Sequence, residues 1–218
     1  MKEVQDHFFR LAKEHGYRAR SAFKLIEIDD RKKLIRKGDR VLDMGAAPGS
    51  WTQVAAERVG PKGAVVAVDL KAIDPRGLPQ HVTLLQADLM DLAPEHFGGV
   101  PFDVVISDMG PDTSGDPFGD SIRSVNLCNA LLDRFPRWLR KGGHATMKVY
   151  EGSEYPALLK RCATLFAESK GFKPKSSRAE SVEMFVTCKG YKGPAADDDS
   201  RAPKSKPRGW GDAPVTGP

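Results

Sequence analysis

Residues 40–51 read Arg-Val-Leu-Asp-Met-Gly-Ala-Ala-Pro-Gly-Ser-Trp, a short apolar run that ends in a carboxylate and opens into a glycine-punctuated turn. The run predicts a buried strand, and the following SWTQVAAERVG (50–60) has the spacing of a helix. A strand entering a helix through a glycine turn brings backbone close to a ligand at the helix start. The turn differs from the dinucleotide fingerprint G-x-G-x-x-G, because alanine occupies the middle position and Pro48 removes an N–H donor. A pyrophosphate is therefore disfavoured at this turn.

Beyond this stretch the same alternation repeats. Apolar runs at 64–70 (AVVAVDL), 82–88 (VTLLQAD), 102–109 (FDVVISDM), 144–150 (HATMKVY) and 183–190 (EMFVTCKG) read as strands. The stretches 121–142 and 154–171 read as crossover helices. Residues 19–35 read as one or two short helices with Ser21 as a cap and Gly38 as the stop. Nearly continuous Val/Ile/Leu strands joined by helices predict a mostly parallel sheet covered on both faces, the doubly wound α/β class. Residues 1–190 are expected to form one domain with a basic helical segment at 1–38. Residues 191–218, rich in Pro and Gly, are expected to be a disordered tail carrying a lone Trp210.

Composition narrows the classes. The chain has 218 residues, 40% hydrophobic and 29% charged, which suits a globular core and excludes collagen-like or wholly disordered character. No apolar run approaches the roughly 18 residues of a membrane span, and the N-terminus lacks the core of a secretory signal, so a cytoplasmic location is expected. Cys128, Cys162 and Cys188 have neither C-x-x-C spacing nor an even count, which predicts reduced thiols and no zinc site. The formal net charge is +5, and residues 1–40 alone carry twelve Lys/Arg against seven Asp/Glu. Such a concentration suits either a polyanion-facing patch or solvated helix faces.

Ligands of open parallel sheets bind beyond the carboxyl ends of the strands. Asp69 follows Gly49 by 20 residues at the end of the second strand, where a carboxylate can accept from a ribose diol. Asp88 ends the third strand, where it suits an adenine amino group. Each aspartate alone reads as a strand-end or capping residue. Together, beside a turn without a phosphate cradle, they suit an adenosine bearing a cationic group, and S-adenosylmethionine fits.

With these residues in place the sequence resembles the FtsJ/RrmJ-type ribose 2′-O-methyltransferases of large-subunit ribosomal RNA. The resemblance runs from about Arg18 to Gly190 and is carried by RSAFKLIEI (20–28), DMGAAPGSW (43–51), VDL (68–70), SDMGPDTSG (107–115), LRKGGHATMKVYEG (139–152) and KPKSSRAESVEMFV (173–186). It implies a seven-stranded Rossmann-like sheet with an antiparallel last strand. It also implies a catalytic tetrad at Lys24, Asp108, Lys148 and Glu183, with Glu183 preferred over the nearby Glu180. Gly49, Trp51, Asp69, Asp88 and Asp108 are implied to bind S-adenosylmethionine, with no metal. The implied acceptor is a uridine of the ribosomal A-loop, methylated late in assembly by a monomer. Two departures stand out: Gly110-Pro111-Asp112 where Ala-Pro-Asn is common, and Ser50, read as a helix cap, where Gly is common.

The chemistry agrees with that assignment. Methylation of a ribose hydroxyl requires a positioned weak nucleophile and an acceptor for its proton. A neutral Lys148 at pH 7 would cost about 4.6 kcal/mol. Lys148 is therefore expected chiefly to steer the hydroxyl, with Asp108 and Glu183 fixing its ammonium. Arg18, Arg20, Lys32, Lys33, Arg36, Lys37 and Arg178 are candidates for phosphate contacts. The alternatives are a tRNA or messenger-cap 2′-O-methyltransferase, a catalytically silent RNA-binding assembly factor and a nicotinamide-dependent oxidoreductase.

Overall fold

A computed structural model describes residues 2–177 and 181–194. The elements run α1 (Lys2–Glu14), α2 (Ala22–Lys32), β1 (Arg40–Met44), α3 (Ser50–Val59), β2 (Ala64–Asp69), β3 (Val82–Gln86), β4 (Phe102–Ser107), α4 (Pro117–Leu132), α5 (Phe135–Trp138), β5 (Leu139–Tyr150), α6 (Tyr155–Leu165), β6 (Phe166–Phe172) and β7 (Glu183–Tyr191). Seven strands form one sheet in the order β3-β2-β1-β4-β5-β7-β6. The pairs from β3 through β5 are parallel, and β7 runs antiparallel to both β5 and β6. The doubly wound α/β sheet with an antiparallel last strand is as expected.

Alternation along the strands builds two cores. Val41, Val65, Val104 and Ile106 face α2 and α3 with Leu25, Ile28, Trp51 and Val54. Leu42, Met44, Val66, Val68 and Val105 face the other way, toward Leu131, Phe135, Leu158 and Cys162. Strands apolar on both faces bury completely between helical layers, which is why they read as continuous runs. The cysteines are free and buried.

Three boundaries differ from the sequence reading. The stretch 154–171 is not one helix: α6 stops at Leu165, and Phe166–Phe172 is a strand with buried phenylalanines at its two ends, paired with β7. Pairing with a neighbour remote in sequence overrides local helical spacing here. The stretch 121–142 likewise divides. Its helix α4 begins earlier, at Pro117, where Asp116 accepts from the amides of Phe118 and Gly119. It ends at Leu132; Pro136 then lies in the first turn of α5, and β5 starts at Leu139. The third difference concerns caps. Ser21 makes no side-chain cap bond, and its hydroxyl lies 2.7 Å from that of Ser50. Ser50 does not cap α3, since Gly49, at φ +104°, holds the cap position. Most of the Pro/Gly-rich tail, including Trp210, lies outside the described residues.

β1 has β2 on one side and β4 on the other, so the chain winds in opposite directions from this point. The crevice of a doubly wound sheet opens beyond the strand ends at such a switch point.

Candidate active site

The turn after β1 makes one wall of that crevice. Gly45, at φ +73°, and Ala46 both donate to the Val68 carbonyl, at 2.9 and 3.1 Å. A Cβ on Gly45 would stand 2.8 Å from the Met109 nitrogen, so only glycine lets the exits of β1 and β4 touch. Between the ends of β1 to β5 lies a cleft of about 460 Å³, lined among others by Gly45, Asp69, Asp88, Asp108, Lys148 and Tyr150. Asp69 shapes its floor by accepting from Ala47 N at 2.9 Å and Lys71 N at 2.8 Å. Asp88 accepts from Met90 N at 2.8 Å. Each carboxylate keeps further lone pairs for a ligand.

Not every expected cofactor residue reaches the cleft. Gly49 and Trp51 are outside its lining. Trp51 is 1% exposed; its indole stacks on Phe185 with ring centres 5.6 Å apart and donates to the Ser21 carbonyl at 2.9 Å. Gly49 makes room for Arg18: a Cβ there would stand 2.7 Å from the Arg18 guanidinium. Arg18, expected to contact phosphates, spends its guanidinium on the carbonyls of Pro48 and Arg76. Those two bonds brace the loop.

The four tetrad positions converge as two ion pairs. Lys148 Nζ lies 3.1 Å from Asp108 Oδ1 and donates to the Asp108 carbonyl at 2.5 Å. Lys24 Nζ lies 2.6 Å from Glu183 Oε1. Their chain positions explain the meeting. α2 packs on the sheet face that carries Phe185, which puts Lys24 Nζ 6.0 Å from that ring and within reach of the start of β7. Burial works to lower the Lys148 pKa, but the Asp108 charge and hydrogen bond, with Glu183, outweigh it and hold the ammonium above its ordinary value. Burial raises the Asp108 carboxyl above the usual carboxylate range, against the lowering pull of Lys148 and Lys24. The Asp108 and Glu183 charges favour the ammonium form of Lys148. Glu180 and Arg178 lie outside the described residues.

The structure adds residues that the sequence reading did not single out. Ser177 Oγ donates to Glu183 Oε1 at 3.0 Å. Glu27 Oε2, one turn beyond Lys24, accepts from Lys175 N at 2.7 Å and Ser176 N at 3.4 Å, so α2 holds both Glu183 and the loop before it. Asp43 is fully buried; its Oδ2 accepts from Thr52 and its Oδ1 has no partner among the described residues. The i, i+3 spacing of Lys24 and Glu27 was a legible signal, whereas the Ser177 contact depends on a loop with no sequence signature.

A doubly wound sheet with a carboxylate-lined cleft at its switch point and paired lysines and carboxylates at one end defines a Rossmann-like transferase. The chain belongs to the FtsJ-like methyltransferase family, whose model matches residues 17–191. It is 46% identical over 206 residues to ribosomal RNA large subunit methyltransferase E of Nitratidesulfovibrio vulgaris Hildenborough, spanning 92% of this chain and all of that protein. The protein of the same name from Methanothermobacter thermautotrophicus is 42% identical over 197 residues, covering 87% and 91% of the two chains. A crystal structure described as a ribosomal RNA methyltransferase from Plasmodium falciparum superposes with a TM-score of 0.72 at 27% identity, covering 82% of this chain and all of that one.

Proposed function

We propose that this protein transfers the methyl group of S-adenosylmethionine to a ribose 2′-hydroxyl of large-subunit ribosomal RNA, a uridine of the A-loop, late in subunit assembly. The observation that carries the reading is the Lys148–Asp108 pair in the lining of a cleft whose remaining polar side chains are mainly carboxylates, with the Lys24–Glu183 pair near enough for its charges to act on it. The names of the relatives support the choice of RNA.

The residues present fit the cofactor. Asp69, Asp88 and Asp108 form an acidic lining that suits a sulfonium and an adenosine and repels a phosphate. The glycine turn admits close backbone approach. When bound, S-adenosylmethionine supplies an electrophilic methyl carbon on sulfur. Asp69 would hold the ribose diol and Asp88 the adenine amino group.

Lys148 acts as an ammonium. Its Nζ donates to the acceptor hydroxyl oxygen and turns a lone pair toward the methyl carbon, while Asp108 fixes the Nζ position and Glu183 fixes Lys24 beside it. The O–C bond forms as the S–C bond breaks. The oxygen, now bearing carbon and proton together, is strongly acidic and loses its proton to water without a strong base. Positioning therefore supplies most of the acceleration, where effective molarities are large.

The test incubates the protein with methyl-labelled S-adenosylmethionine and, in parallel, large subunits from cells lacking it, naked ribosomal RNA and bulk tRNA, each beside Lys148→Ala. Label entering ribose on large subunits alone, and only with Lys148, is the expected outcome. Label on tRNA replaces the substrate. The rate should stay flat from pH 7 to about 9.5, because the Lys148 ammonium persists above the ordinary lysine range. A rate climbing throughout that interval would restore the free amine as the base.

A further inference from the structure

Tyr150 is the last residue of β5, two positions beyond Lys148, so both side chains project from the same face of the sheet. The antiparallel register sets Tyr150 directly opposite Glu183, and Lys148 opposite Phe185. Directly opposed residues share a face, so Lys148, Tyr150 and Glu183 form one cluster at the mouth of the cleft. The phenol also points at the reacting region. A Cβ built on Gly110 would stand 3.1 Å from the Tyr150 hydroxyl oxygen and 3.2 Å from Lys148 Nζ. Gly110 therefore leaves a space on which a hydroxyl and an ammonium both border. Tyr150 is half-buried and lines the cleft, and its hydroxyl has no hydrogen-bond partner among the described residues.

We infer that Tyr150 is a further member of the acceptor site, its phenol donating to a sugar or phosphate oxygen of the nucleotide whose hydroxyl is methylated. The inference rests on the ribose-methylation reading. The sheet itself separates this role from cofactor binding. From β5 to β2, where Asp69 stands, there are three strand spacings, about 14 Å, so Tyr150 and Asp69 arise from well-separated strands of the one cleft. Beside Lys148 it can grip the nucleotide at a second point and fix rotation about the ribose. One donor alone leaves that rotation free.

Tyr150→Phe removes one oxygen and keeps the ring. With large ribosomal subunits as substrate, kcat/KM for RNA should fall roughly three- to tenfold, the worth of one neutral hydrogen bond. The Kd for S-adenosylmethionine and the Tm should stay at wild-type values. An unchanged kcat/KM in an active enzyme overturns the role of Tyr150 and leaves the ribose-methylation reading standing. A parallel loss of cofactor affinity, or a fall in Tm large enough to account for the lost activity, overturns it too, since the phenol would then serve the cofactor or the fold. A wild-type protein that methylates no ribosomal RNA overturns both readings together.

Discussion

Asp43→Asn should make the protein more stable at pH 8 than at pH 5, relative to wild type. The Asp43 carboxyl is fully buried at the end of β1, accepts one bond from Thr52 and faces the negative charges of Asp108 and Asp69. Burial, the largest cause, and those neighbours raise its pKa from 3.8 to about 7. Between these values the folded protein holds a proton that the unfolded chain has released, so stability falls as pH rises through the interval. The loss is about 4 kcal/mol over the whole interval, of which about 3 kcal/mol falls between pH 5 and pH 8. The asparagine side chain keeps an oxygen for Thr52 and a similar volume, and it has no charge to bury. Urea unfolding of both proteins at pH 5, 6, 7 and 8 isolates the titration of Asp43 together with its coupling to Asp108 and Asp69, because groups remote from it cancel in the difference. The advantage of the Asp43→Asn variant should grow by about 3 kcal/mol across the series and level off above pH 7. A difference that changes by less than about 1 kcal/mol would sink this account, for it would mean that the site admits water or that Asp43 ionises freely when folded.

Two further outcomes follow from contacts that the sequence did not advertise. Glu27→Ala strands the amides of Lys175 and Ser176 and loosens the loop that holds Ser177 on Glu183; a loss of about 1–3 kcal/mol is expected in urea unfolding, with a fall in kcat, and Glu27→Gln, which keeps an acceptor, should recover most of both. Trp51→Phe gives up the indole bond to the Ser21 carbonyl and part of the stacking on Phe185. It should cost about 1–3 kcal/mol of stability and leave the calorimetric Kd for S-adenosylmethionine unchanged, since the indole is outside the cleft.

The sheet was legible in the sequence because its central strands are buried on both faces. Burial of that kind writes short, nearly continuous apolar runs rich in Val, Ile and Leu at β1, β2 and β4, bounded by turn residues. The carboxylates at Asp69, Asp88 and Asp108 were legible for a related reason: chemistry in this topology collects at the strand ends, so position along the chain predicts position in space. β6 was not legible. Its helix-compatible residues become a strand only because β7, eleven residues further on, offers a ladder of backbone bonds. Gly49, Trp51 and Arg18 show the same limit at the site. The motif placed Gly49 and Trp51 beside the cofactor turn and the charge pattern offered Arg18 to phosphates, but which way a side chain points depends on the packing of neighbouring elements against it. Local pattern sufficed for the order in which chemistry follows the strands, while the tetrad positions came from the family resemblance. Packing between elements decided that Asp108 and Glu183 stand against Lys148 and Lys24, that Glu27 and Ser177 brace Glu183 and its loop, and that Tyr150 borders Lys148, because each depends on distances that local patterns do not encode.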